Sequence, residues 1–142
     1  MHLAVATAPG SAHVNPGQPG KTNNQDVIVT RTHARGSIVV LCDGCGSQPF
    51  SGIGADIGSH VIATVLCRHL EETSAPRLDW TRVTREVTEA LHGAVAFFAP
   101  STSVSVFERI VVERFLFTAM VCITDEDAAV VAAFGDGVVI AD

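Results

Sequence analysis

The sequence has no apolar run that approaches the ~20 residues of a membrane-spanning helix, although 47% of its 142 residues are hydrophobic. Its beginning lacks a basic leader followed by a long apolar segment, so we expect no secretory signal. It also lacks internal repeats and low-complexity tracts. These absences predict one folded domain over residues 1–142, with a chain long enough to bury a real core.

Positive charge is scarce as well. Nine lysines and arginines stand against fifteen aspartates and glutamates, which gives a net charge of −6. This balance argues against a nucleic-acid-binding surface. The four cysteines show no disulfide framework, which is typical of a reducing compartment, so we expect a cytoplasmic protein with no membrane partner.

The most informative stretch is Ile38–Gly46, with the sequence IVVLCDGCG. Its apolar first half predicts a buried β-strand, which ends on Asp43 and then turns at Gly44. An Asp-Gly pair can be an ordinary turn. A carboxylate at the end of a core strand is costly, however, unless a cation or hydrogen-bond donors meet it.

A second carboxylate, Asp26, precedes the strand predicted for Val27–Thr30. The turn at His33–Gly36 makes a hairpin of this strand and the central one. In an antiparallel pair Asp26 and Asp43 would then be adjacent. Like charges at that distance need a cation or a shared proton.

The rest of the chain predicts an α+β domain with helices laid on an antiparallel sheet. Apolar periodicity indicates helices at 53–70, at 80–98 with Asp79 or Thr81 as cap, and around 107–111. Further strands are predicted at 2–7, 115–124, 128–134 and 138–141, with a Pro- and Gly-rich loop at 8–20. Glycines near the start of the first helix indicate a close backbone approach there.

Asp136 is a third acidic residue at a strand-connecting turn, within Gly135-Asp136-Gly137. By itself this tripeptide is better explained as a plain hairpin turn. Together, Asp26, Asp43 and Asp136 offer oxygen ligands only. Such ligands suit a hard cation such as Mg²⁺ or Mn²⁺.

Four segments in this order carry a family resemblance: KTNNQD at 21–26, VLCDGCG at 40–46, Thr118-Ala119, and FGDG at 134–137. They resemble the motifs of metal-dependent type 2C protein phosphatases, particularly bacterial ones, from about residue 15 to residue 142. The resemblance implies a β-sandwich flanked by helix pairs, with a two-metal site at one end. It also implies a serine/threonine phosphatase acting on phosphorylated proteins.

The resemblance also implies roles for individual residues. Asp43 matches the aspartate that bridges both metals, and the Gly44 carbonyl matches a ligand of one of them. Asp26 matches the acidic residue that holds the metals mostly through water, and Asp136 matches an aspartate near a third, weaker metal. Lys21 takes the place of a phosphate-binding arginine. The implied reaction is in-line attack on phosphorus by a metal-activated water, with Asp26 and Asp43 as the catalytic residues.

The sequence departs from the family pattern in several places. Lys21 offers a point charge instead of a bidentate fork, Gln25 replaces a frequent acidic residue, and Cys45 replaces a histidine that some members carry. The metal aspartates of the family's second half have no counterpart before Asp142. We therefore expect the N-terminal part of a phosphatase domain. The alternative is an inactive, phosphatase-like regulatory or binding module.

Two further expectations follow. An apolar final strand without partners would lead the chain to self-associate or to bind a complementary C-terminal segment. Cys42 and Cys45 form a C-x-x-C, which is interpreted as core or loop cysteines, with a redox or zinc pair as the alternative. The helical histidines His60, His69 and His92 are expected to face solvent or cap helices, not to bind metal.

Overall fold

The structure, a computed structural model, describes residues 6–7, 24–99, 103–126 and 128–135. These residues form one four-stranded antiparallel sheet of order β1-β2-β3-β4, with three α-helices. The elements are β1 (Asp26–His33), β2 (Gly36–Gly44), α1 (Ser51–Glu72), a 3-10 turn (Ala75–Arg77), α2 (Trp80–Phe98), α3 (Val104–Arg114), β3 (Phe117–Thr124) and β4 (Ala129–Phe134). The α+β class predicted from the sequence is confirmed.

One face of the sheet forms the core. Side chains alternate between the two faces of a strand, and the inner members of β2 and β3 are fully buried: Ile38, Val40, Cys42, Val121 and Ile123. Their β-branched side chains fit a pleated surface that a helix covers. The β1–β2 hairpin predicted from the turn at 33–36 is confirmed by its register, in which His33 faces Gly36.

Helix α1 lies directly on this buried face, and two of its glycines make the approach possible. A Cβ built on Gly54 would lie 2.2 Å from the Arg114 carbonyl oxygen, and one on Gly58 would lie 2.2 Å from the Phe117 ring. The close backbone approach expected from the glycines of this helix is therefore confirmed. It brings the start of α1 against the segment that leads into β3.

Helix α2 begins where the sequence predicted, because the Asp79 side chain accepts a hydrogen bond from the Arg82 backbone N–H at 3.1 Å. The helix packs beside α1, and its Val83 is buried in the core. Helix α3 is longer than predicted and contacts both α1 and α2. None of the described helices is long and apolar enough to cross a bilayer.

A cluster of charges joins α1 to α2. The Glu86 carboxylate accepts from Arg68 Nη2 at 2.7 Å and from Arg82 Nε at 3.0 Å, and it lies 3.1 Å from His69 Nε2. His69 is only 4% exposed, so the expectation that it faces solvent or caps a helix was wrong. His69 lies on the inward-facing side of α1, where it is buried against the Glu86 carboxylate. His60 and His92 are exposed, as predicted.

This cluster predicts a pH-dependent stability. Burial raises the pKa of Glu86, but hydrogen bonds from His69 and Arg82 and the nearby positive charges outweigh this and lower it from its usual 4.5. The stabilisation is therefore present above the unfolded pKa and is lost as the pH falls through the folded pKa. We expect Glu86→Gln to destabilise the protein more at pH 7 than at pH 3, as measured by urea unfolding. Glu89→Gln, an exposed change on the same helix, is the control. Equal effects of Glu86→Gln at both pH values would contradict this account.

The second face of the sheet carries two mostly apolar rows and no covering element among the described residues. The register aligns Ile28, Leu41, Met120 and Ala133 in one row and Thr30, Val39, Cys122 and Val131 in the next. Val131 is 43% exposed. The described residues thus form a single sheet and not the sandwich that the resemblance implied. The strand predicted at 138–141, the loop at 8–20 and most of the strand at 2–7 lie outside them.

A candidate metal centre at one end of the sheet

Asp26 and Asp43 occupy facing positions on β1 and β2. The Gly44 N–H donates to the Gln25 carbonyl at 3.3 Å, so residues 25 and 44 are the hydrogen-bonded pair at this end. The next pair, Asp26 and Asp43, is therefore of the non-hydrogen-bonded type, in which Cα atoms are about 4.5 Å apart and side chains lie closest. The structure thus brings together the two carboxylates that the sequence predicted would meet.

The same row continues across the sheet. Thr118 on β3 faces Asp43, and a Cβ built on Gly135 would lie 2.5 Å from the Thr118 methyl group. Gly135 has φ = 121°, a conformation that only glycine adopts without strain. One end of the sheet therefore carries a row formed by Asp26, Asp43-Gly44, Thr118 and Gly135. Asp136, the neighbour of Gly135, and Lys21 lie outside the described residues.

The loop after Asp43 is held by a short hydrogen-bond network. The Ser51 hydroxyl, at the start of α1, donates to the Cys45 carbonyl at 2.8 Å. The Cys45 N–H donates to the Leu116 carbonyl at 3.0 Å, and the Gln25 amide nitrogen donates to the Gln48 carbonyl at 2.9 Å. The start of α1 and the residues just before β1 and β3 thus each fix one point of the loop.

Asp43 is exposed and lines an open depression, whereas Asp26 is half-buried. The depression also includes Gly44–Gly46 and Leu116–Thr118. Two facing carboxylates with a backbone carbonyl beside them fit a hard divalent cation, since Mg²⁺ is commonly held by one or two carboxylates and keeps several waters. Among the described residues no group of three or more His, Cys, Asp or Glu side chains is placed to hold a metal ion, either at this end of the sheet or elsewhere.

The C-x-x-C pair is divided between two environments. Cys42 is fully buried in the core, and this burial raises its pKa to about 12. Cys45 lies in the loop, with its sulfur 3.1 Å from the Ser47 hydroxyl oxygen. A thiol with so high a pKa is a poor nucleophile and a poor metal ligand near neutral pH. The interpretation as one core and one loop cysteine is supported over the redox or zinc pair.

We therefore predict that Cys45→Ser leaves the Mn²⁺ affinity within a few-fold of the parent, because hard cations prefer oxygen to sulfur. The measurement is calorimetric titration of both proteins with Mn²⁺ and, separately, with Zn²⁺. A loss of Zn²⁺ binding in the variant would favour the C-x-x-C alternative.

Sequence reasoning did not identify the partners that hold the loop. Gln48 acts through its backbone carbonyl, which any residue possesses, so its side chain carries no signal. Ser51 gave a weak signal as a hydroxyl residue at a helix start. Its hydroxyl donates to the Cys45 carbonyl across the loop and does not cap the N–H groups of the helix.

The described residues form an α+β domain in which two aspartates face each other at one end of the sheet. Residues 10–142 match the family model described as protein phosphatase 2C. The chain therefore belongs to the protein phosphatase 2C family, as the motifs indicated. Searches among curated proteins and among solved structures each found no significant match.

Proposed function

We propose that this protein is a metal-dependent phosphatase that hydrolyses phosphoserine and phosphothreonine in proteins. The observation that carries the proposal is the facing pair Asp26 and Asp43 at the end of the sheet, in a chain of the protein phosphatase 2C family. A structural turn would not need two carboxylates in direct opposition, because like charges at this distance repel.

Each residue of the site has a proposed task. Asp26, Asp43 and the Gly44 carbonyl would hold Mg²⁺ or Mn²⁺ at a two-metal site, and Asp136 would contribute to a third, weaker position. Bound divalent cations supply an acidified water and charge neutralisation for the phosphoryl group. Lys21 would attract the substrate phosphate as a point charge.

Asp43 is exposed and lines an open depression at the end of the sheet, where a phosphate group could approach the carboxylates. The four free cysteines support the further proposal of a cytoplasmic location.

Hydrolysis of a small aryl phosphate, with and without Mn²⁺, tests the proposal. We expect turnover that depends on Mn²⁺, disappears with a chelator and extends to a phosphoserine peptide. Binding of Mn²⁺ without turnover would instead favour a regulatory or binding module with a phosphatase-like fold. Turnover that persists in the chelator would contradict the metal-dependent mechanism.

We also propose that the second, apolar face of the sheet is covered by another layer, as the family's sandwich requires. Exposed apolar strands associate, so the isolated chain is expected to self-associate or to bind a complementary segment. Light scattering should show a mass above that of the monomer, and Val131→Lys should lower it. Phe97→Lys, at an 82% exposed position on α2, is the control. A monomeric parent would contradict self-association.

A further inference from the structure

Gln25, the residue before Asp26, is unusually deep for a glutamine. It is 5% exposed, and it lies where β1 begins. Gly44 and Gly52 both pack against it, since a Cβ on Gly44 would lie 2.9 Å from the Gln25 carbonyl oxygen and one on Gly52 would lie 3.5 Å from its Cα. The residue therefore touches both ends of the loop that follows Asp43.

The orientation of the Gln25 amide is fixed by its surroundings. Its nitrogen lies 2.9 Å from the Gln48 carbonyl oxygen, and the reverse orientation would place two oxygens, both acceptors, against each other. The amide oxygen is buried and has no hydrogen-bond partner among the residues that the structure describes. A methionine would fill a similar volume without burying an unpaired oxygen, so packing alone does not explain the amide.

We propose that Gln25 is a positioning residue for the candidate metal centre. Its side-chain amide holds the Gly44–Gln48 loop by donating to the Gln48 carbonyl, while its own carbonyl accepts from the Gly44 N–H. The side chain thus acts on the loop and does not bind the cation. The consequence for cation binding rests on the proposed function, whereas the ordering of the loop does not.

Three variants separate these roles. Gln25→Glu keeps the shape but, in its ionised form, has no proton to donate to the carbonyl. Gln25→Met removes both polar atoms and keeps the test available if the buried charge of Gln25→Glu prevents folding. Gln48→Ala is the matched control, because it removes a side chain from the loop and retains the carbonyl that accepts the hydrogen bond.

Two measurements are made on each protein at pH 8. Hydrogen exchange of the Gln48 amide, which donates to the Cys45 carbonyl at 2.9 Å, reports the loop in metal-free protein. The Val40 amide serves as the reference for the core. Calorimetry reports the Mn²⁺ affinity. A general loss of stability would speed exchange at both amides.

We expect Gln25→Glu and Gln25→Met to speed exchange at Gln48 about tenfold, with Val40 unchanged, because the loop opens locally. Their Mn²⁺ affinity should fall about tenfold, as is usual when an outer-shell partner is lost. Gln48→Ala should match the parent in both measurements.

Two results would overturn the inference: unchanged exchange at Gln48 in both variants, or a gain in Mn²⁺ affinity in Gln25→Glu, which would show that position 25 acts directly on the cation. If the parent binds no Mn²⁺, the proposed function fails. The exchange measurement still decides whether Gln25 orders the loop.

Discussion

Replacing Asp43 by asparagine is expected to lower the Mn²⁺ affinity by about 100-fold or more, beyond the 10–100-fold typical for losing an outer-shell partner. The change removes one of the two facing carboxylates and leaves Asp26 alone at the end of the sheet. An amide oxygen is a weaker ligand for a hard cation than a carboxylate. Metal-dependent hydrolysis of an aryl phosphate should fall with the affinity.

The control for this change is Glu126→Gln. Glu126 is also exposed, and it follows β3 at the opposite end of the sheet, where Thr124 faces Ser37. Glu126→Gln removes the same charge as Asp43→Asn and should leave the calorimetric Mn²⁺ affinity unchanged. If Asp43→Asn binds Mn²⁺ as tightly as the parent, the two-metal interpretation of this site is wrong.

Gly54→Ala is expected to cost about 2–3 kcal/mol of unfolding free energy, at the upper end of the range for overpacking. The new methyl would lie 2.2 Å from the Arg114 carbonyl oxygen and 2.5 Å from the Phe115 Cα. Both are backbone atoms, so relief requires α1 to move away from the segment that leads into β3. Alanine's better helix propensity does not offset that displacement.

Gly93→Ala provides a control of opposite sign. Gly93 lies in the interior of α2, and a Cβ there would meet nothing within 4 Å. The same substitution should therefore stabilise the protein by about 0.5–1 kcal/mol, because glycine is costly in a helix. Urea unfolding of both variants is the measurement. Equal effects at the two positions would show that α1 does not pack as described.

The central geometry of the candidate site followed from the sequence because it depends on short-range rules. A turn at His33–Gly36 fixes the register of the hairpin, and the register alone brings Asp26 opposite Asp43. The α2 helix, with Asp79 as one of two candidate caps, was predicted for the same reason, since capping and apolar periodicity are local signals.

Other features depend on contacts between distant segments and could not be predicted. The burial of His69 depends on Glu86 in another helix. The hydrogen bond from Gln25 reaches a backbone carbonyl, which has no sequence signature. The glycines of α1 indicated a close approach, but only the fold shows that Gly54 meets the carbonyl of Arg114.

The most direct test of the central claim is to locate bound Mn²⁺ by paramagnetic broadening of backbone amide signals in NMR spectra. The account predicts selective broadening at one end of the sheet, at Asp26, Asp43 and Thr118, while Thr32 and Ser37 at the other end keep their signals. Broadening centred on the acidic turn that follows β3, or no broadening at all, would contradict a cation site between the facing aspartates.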